Sequence, residues 1–189
     1  LHLLSRRQRQ MCIRDSYRTL KEKAPVMAEA LKSDAQLLNP VEKEFLKNLP
    51  IQKEVKAGGV KFLLVHGSPR KNNEDILPDT PLSEVEKMLE NVDADVVLCG
   101  HTHIPCGFQT ESRKTVVNAG SIGRTFFVEP NSYPKACYLI IEVDNGSCVF
   151  QHQFVEYDKE QASEKLAARE FEGADKLAGM LINPEIRHF

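Results

Sequence analysis

Three histidines sit where metal chemistry would need them. His66 closes the apolar run Val60-Lys61-Phe62-Leu63-Leu64-Val65 and is followed by Gly67-Ser68-Pro69. His101 and His103 come after Asp95-Val96-Val97-Leu98, in the stretch Cys99-Gly100-His101-Thr102-His103-Ile104-Pro105. Both runs are short, apolar and bounded by turn formers, so each is predicted to be a buried strand. Side chains two apart on extended backbone point the same way, so His101 and His103 are expected to face one side. Imidazole is a common ligand for Zn, Mn, Fe and Co. Two strands that each end in His therefore predict ligands converging on one edge of a sheet.

Other residues compete for a role. Cys99 and Cys106 flank the histidine pair as Cys-x-His-x-His-x-x-Cys, which has the ligand types of a closed structural zinc site. Against this, Cys99 ends an apolar strand and reads as a small buried hydrophobe. Gly120-Ser121-Ile122-Gly123 approaches the serine-hydrolase elbow, but that elbow needs a helix after the Ser. The residues that follow, through Phe126-Phe127-Val128-Glu129-Pro130, do not read as one. Gly120 and Gly123 instead suit a loop whose backbone approaches a site closely. Arg70 and Arg124 are candidates to meet a phosphate, although a solvated Arg is the commoner case. His152, between Phe150 and Phe154, is expected to be structural, and the terminal His2 and His188 say nothing.

Taken together, Val65-His66-Gly67-Ser68-Pro69, then Gly100-His101-Thr102-His103, then Asn118-Ala119-Gly120-Ser121-Ile122-Gly123 resemble the C-terminal half of a calcineurin-like metallophosphoesterase, most closely the small bacterial phosphodiesterase branch. The order and spacing of the three segments make the resemblance specific, and it covers residues 17–189. It implies the C-terminal part of a four-layer α/β/β/α sandwich. It also implies a phosphodiesterase or phosphatase acting on a small phosphoester, with two divalent transition metal ions drawn from Mn, Fe, Zn, Ni or Co, Mn favoured. In such a centre His66 and His101 would ligate one metal and His103 the other. Two metals ~3.5–4 Å apart clamp the attacking and leaving oxygens at phosphorus and make hydroxide available near neutral pH. No residue is assigned the role of general acid or base.

The chain departs from the family pattern upstream. The family's Asp-x-His, Gly-Asp-x-x-Asp and Gly-Asn-His-Asp motifs precede the His-Gly-Ser-Pro strand, and none occurs here. Those motifs supply a bridging Asp, an Asn ligand and, where used, a general-acid His. The expectation is thus an N-terminally truncated fragment, inactive alone, whose full-length parent is the enzyme. Residues 1–16, with four Arg, one Asp and no initiator Met, resemble translated sequencing-adapter read-through and are expected to be foreign to the fold. The other function class is a non-catalytic protein-interaction scaffold on the same fold, as in the retromer scaffold subunit. Retention of all three His favours the enzyme.

Composition narrows the rest. A net charge of −2 gives no basic field for nucleic acid. No apolar run approaches the ~20 residues that span a bilayer. The five cysteines form no Cys-x-x-Cys pair, which suits reduced thiols and a cytoplasmic location. The oligomeric state is not legible.

The elements that must position the histidines follow from periodicity. Residues 17–38 read as helical, interrupted at Pro25, with Leu20, Met27, Leu31 and Leu38 on a loose face. Asn39-Pro40-Val41-Glu42 reads as a capped helix start, with Val41, Phe45, Leu46 and Leu49 as its core stripe. A long polar segment from Gly67 to Asp79 suggests a functional loop or lid. Ser83-Glu84-Val85-Glu86 reads as a capping box ahead of a helix that buries Val85, Met88, Leu89 and Val92. Strands are predicted at 60–65, 95–99, 115–117, 136–143 and 147–155, the last two joined by a hairpin at Asp144-Asn145-Gly146. From Asp158 the chain reads as a helix broken near Gly173.

Overall fold

The computed structural model describes residues 20–124 and 135–183. The segment 1–16 lies outside these residues. Two compact units form, residues 51–157 belonging to one and residues 20–50 with 158–183 to the other.

The first unit is built on a five-stranded sheet. Its strands are β1 (Lys53–Ala57), β2 (Val60–Leu64), β3 (Val96–Cys99), β4 (Cys106–Gln109) and β5 (Thr115–Asn118). Their spatial order is β1-β2-β3-β5-β4. β2, β3 and β5 run parallel at the centre, and the edge strands β1 and β4 pair antiparallel to their neighbours. Gly58 and Gly59, at φ 53° and 84°, make the tight turn from β1 to β2, a conformation open to Gly without steric cost. β2 and β3 are apolar nearly throughout because both of their faces are covered. On one face Leu63, Val65, Val97, Cys99 and Val116 pack with Ile76 and with Val85, Met88 and Leu89. The last group contains two residues of a helix at Leu82–Met88, α3 in chain order, the crossover between β2 and β3.

On the other face Val60, Phe62 and Val96 pack with Leu64, Leu98, Ile141, Val143, Cys148 and Phe150. Four of these come from a separate two-stranded sheet, β6 (Ala136–Asp144) and β7 (Ser147–Val155). Helix, sheet and second sheet therefore stack in that order. The architecture is mixed α/β, as expected. The hairpin turn is where Asp144-Asn145-Gly146 placed it, with Asn145 and Gly146 at φ 46° and 82°. β1 and β4 were not predicted. Every residue of β1 is exposed, so it carries no burial alternation to read.

The helical unit holds α1 (Pro25–Leu37), α2 (Pro40–Lys47), α4 (Lys159–Ala167) and α5 (Ala174–Ile182). α1 and α5 meet through small residues, with Ala28, Ala30, Ala174 and Ala178 buried alongside Leu31. Arg169 Nη2 donates to Asp34 Oδ1 at 2.8 Å and Ser33 Oγ at 3.0 Å. The predicted break at Gly173 separates α4 from α5.

Two helix readings need correction. The Asn39 cap is present in full: Asn39 Oδ1 accepts from Glu42 N and Glu42 Oε2 accepts from Asn39 N, each at 2.9 Å. The stripe it introduces is not buried, however, with Val41 78% and Phe45 55% exposed. A local pattern fixes a helix and its apolar face, but not what covers that face. In α3 the capping box does not form. Pro81 is the N-cap, the helix starts at Leu82, and Ser83 falls inside it.

Candidate metal centre

The ends of β2 and β3 bring two of the three histidines together. The parallel pairing continues past the strands, with Val65 N donating to Leu98 O and Gly100 N to His66 O, each at 2.9 Å. That ladder brings the residues following the two strand ends alongside each other. His66 Nε2 then lies 3.1 Å from His101 Nδ1. The rings meet edge to face, centroids 4.9 Å apart at 75°. His66 is buried and His101 partly exposed, so the pair sits at the mouth of the sheet edge.

His101 and His103 are not on extended backbone. Their φ values are 66° and 62°, in the left-handed region that non-Gly residues seldom occupy. The extended backbone on which the same-side expectation rests is therefore absent, because β3 ends at Cys99 and a turn begins at once. Buried Thr102 is the hub of that turn. Its N–H donates to Gly100 O at 2.7 Å. Asn118, fully buried at the end of β5, donates from Nδ2 to Gly100 O at 2.7 Å and to Thr102 Oγ1 at 3.0 Å. Its own Oδ1 accepts from Gly120 N at 3.0 Å. His152 Nε2 meets Asn118 O at 2.7 Å from β7, the structural part expected of it.

His103 is held separately. Its Nδ1 lies 2.5 Å from the Arg124 carbonyl oxygen, so Nδ1 is the donor and the neutral ring carries its lone pair on Nε2. A ligating histidine commonly has its other ring N–H held this way. Among the described residues no three His, Cys, Asp or Glu side chains form a group placed to hold a metal ion. The closed zinc site of Cys99, His101, His103 and Cys106 is thus not formed. Burial, the main cause, raises the thiol pKa of both cysteines, and a thiol is a poor ligand compared with a thiolate. Cys99 packs in the core as the small hydrophobe it resembles.

The polar segment after His66 is an anchored loop. A Cβ on Gly67 would fall 2.6 Å from Asn72 O and 2.8 Å from Glu74 O, so only glycine lets these strands of loop touch. Ser68 Oγ donates to Glu74, and Arg70 pairs with Glu74 at 2.8 Å and with Glu84 at 2.7 Å. Arg70, a candidate for phosphate, is directed to carboxylates instead. Its guanidinium holds the Glu74 carboxyl below the usual range, with Ser68 adding to the effect and burial opposing it. Between these anchors and buried Ile76 stands Asp75, whose Oδ1 lies 3.3 Å from His101 Nε2. Sequence reading passed over Asp75, since a carboxylate in an aperiodic polar run carries no signal of its own. Ser121 is no nucleophile elbow. No helix follows through Arg124, and its Oγ accepts from Gly123 N at 3.3 Å. Residues 125–130, read as non-helical, lie outside the described residues.

The donor set fits part of a metal centre. Zn–N bonds of ~2.0–2.1 Å put neighbouring nitrogens of one coordination shell roughly 3 Å apart. The 3.1 Å separation of His66 Nε2 and His101 Nδ1 matches one such edge. Two imidazoles supply one edge of a shell and no more.

Comparison with known proteins gives this geometry a context. The family model described as calcineurin-like phosphoesterase superfamily domain matches residues 28–146. A solved structure of a hypothetical protein from Pyrococcus horikoshii is 26% identical, with a TM-score of 0.70, over 85% of this chain and 61% of that protein. A metallophosphoesterase from Sphaerobacter thermophilus shares the fold at 19% identity, with a TM-score of 0.64, over 84% of this chain and 69% of that one. No curated protein is similar enough in sequence to count as a relative.

Proposed function

The chain belongs to the calcineurin-like phosphoesterase superfamily, and from that premise we propose that it carries part of the metal centre of a phosphoester hydrolase. The observation that supports this is the juxtaposition of His66 Nε2 and His101 Nδ1 at 3.1 Å on two adjacent strand ends. In this reading the two rings hold one divalent transition metal ion, with Mn favoured, and His103 faces a second. The metals would supply positive charge at phosphorus and activation of water near neutral pH. The protein's own part is orientation: Asn118 and Thr102 fix the turn, and the Arg124 carbonyl fixes the His103 ring. The remaining donors, including a bridging carboxylate, we assign to sequence outside the described residues. This chain spans 61% of the Pyrococcus protein's length, so a whole protein's substrate remains part of the proposal: a small phosphodiester or phosphomonoester.

The test is turnover of bis-p-nitrophenyl phosphate with Mn²⁺ supplied. The 189-residue chain alone should not turn it over. A chimaera joined to a homologous segment with Asp-x-His, Gly-Asp and Gly-Asn motifs should do so, sensitive to chelator. Chelator-insensitive turnover by the chain alone would contradict the reading. The second reading, a protein-interaction scaffold on the same fold, is the alternative outcome of the same experiment. A chimaera that folds, binds no Mn²⁺ and turns over nothing would favour it.

A further inference from the structure

We propose that Asp75 is a positioning residue that holds His101 as its Nε2–H tautomer and so presents the Nδ1 lone pair beside His66. The purpose of this device rests on the metal-centre reading, whereas its geometry does not. Asp75 Oδ1 is 3.3 Å from His101 Nε2. An ionised carboxylate only accepts, so at this separation it favours the proton on the ring nitrogen nearest it. A neutral imidazole has one N–H, and its lone pair is then on Nδ1, the atom 3.1 Å from His66 Nε2. Asp75 itself is on the far side of Cε1 from that edge. It therefore orients the ring rather than joining the pair.

The loop is built to keep Asp75 in place. Glu74, just before it, is tied to Ser68 and Arg70, and Arg70 is tied onward to Glu84. Ile76, just after it, is 1% exposed within the core. Gly67 lets the loop fold back against its own carbonyls. These anchors hold the backbone of Asp75 beside the ring. His101 and His103 are thus oriented by opposite nitrogens, Nε2 to Asp75 and Nδ1 to the Arg124 carbonyl. A carboxylate on the remote nitrogen also makes a histidine a more basic ligand.

The experiment uses the full chain, labelled with ¹⁵N, at a pH where the imidazoles are neutral. Long-range ¹H–¹⁵N correlations distinguish ring tautomers, and His101→Gln assigns the His101 signals by their loss. Asp75 is half-exposed, so its variants should fold, which circular dichroism checks. Wild type and Asp75→Asn, which keeps an acceptor oxygen, should show the Nε2–H pattern at His101. Asp75→Ala should show a mixture, and its Zn²⁺ affinity by calorimetry should fall about 10–100-fold. If Asp75→Ala keeps the wild-type tautomer and affinity, the proposal is overturned. If His66→Ala binds Zn²⁺ as tightly as wild type, the metal-centre reading fails, and the tautomer result in metal-free protein still decides what Asp75 does.

Discussion

Asn118 and the two left-handed histidines show how residue identity sets the site. Asn118 is fully buried, and its amide braces Gly100 O, Thr102 Oγ1 and Gly120 N at once. Asn118→Ala should therefore cost about 1–3 kcal/mol, the penalty for stranding buried polar groups, read as a lower urea midpoint. His103 at φ 62° holds a conformation that favours glycine. His103→Gly should be more stable than His103→Ala by about 1 kcal/mol, because both lose the bond to Arg124 but only Ala keeps the strain. Equal stabilities would mean that the turn relaxes in the variants. The histidines were legible in sequence through their types and their places after apolar runs. Their backbone angles were not, since Gly-His-Thr-His contains nothing that distinguishes a strand end from a turn. Asp75 was invisible for a different reason: its partner is 26 positions away along the chain, and the contact depends on how the loop folds back.

Elements repeat that contrast between local and non-local information. Strands β2, β3 and β5 and the β6–β7 hairpin follow from apolar runs and one Asn-Gly turn. β4 pairs with β5 through a hairpin at residues 110–114, where Thr110 N donates to Lys114 O at 2.9 Å and Arg113 takes φ 64°, and the stretch Thr110-Glu111-Ser112-Arg113-Lys114 has no glycine to announce that turn. The α2 stripe was legible as a stripe but not as exposed. Phe45→Ala should therefore change stability by no more than about 0.5 kcal/mol, while Met88→Ala, at a buried position of α3, should cost about 2–5 kcal/mol. Thermal melts of the two variants test this directly. The loop from Gly67 carries a pH dependence. Arg70 chiefly, with Ser68 and Lys71, holds the Glu74 carboxyl below its ordinary pKa. A depressed folded pKa gives stability that is present above the unfolded value near ~4.3 and is lost as pH falls through the folded value. Glu74→Gln should then be less stable than wild type at neutral pH, with the gap closing below about pH 4. A gap that is constant from neutral to acid pH would mean the ion pair contributes nothing to stability.

At the scale of the whole molecule, the helix–sheet–sheet stacking of residues 51–157 follows from two-faced burial of β2 and β3. The division into two compact units was not legible, because one of them joins residues 20–50 to residues 158–183 across the length of the chain. Among the described residues no helix is long and apolar enough to cross a membrane. The family assignment rests on the family model matched over residues 28–146, and its consequence for chemistry rests on what His66 and His101 do with their facing nitrogens. Calorimetric titration of the full chain with Mn²⁺ and Zn²⁺, beside His66→Ala and His101→Ala, tests that consequence most directly. The account predicts weak binding of one ion in the wild type, since two imidazoles complete only part of a shell, and loss of that binding in either variant. Binding unchanged in both variants, or no binding by the wild type at any attainable concentration, would contradict it.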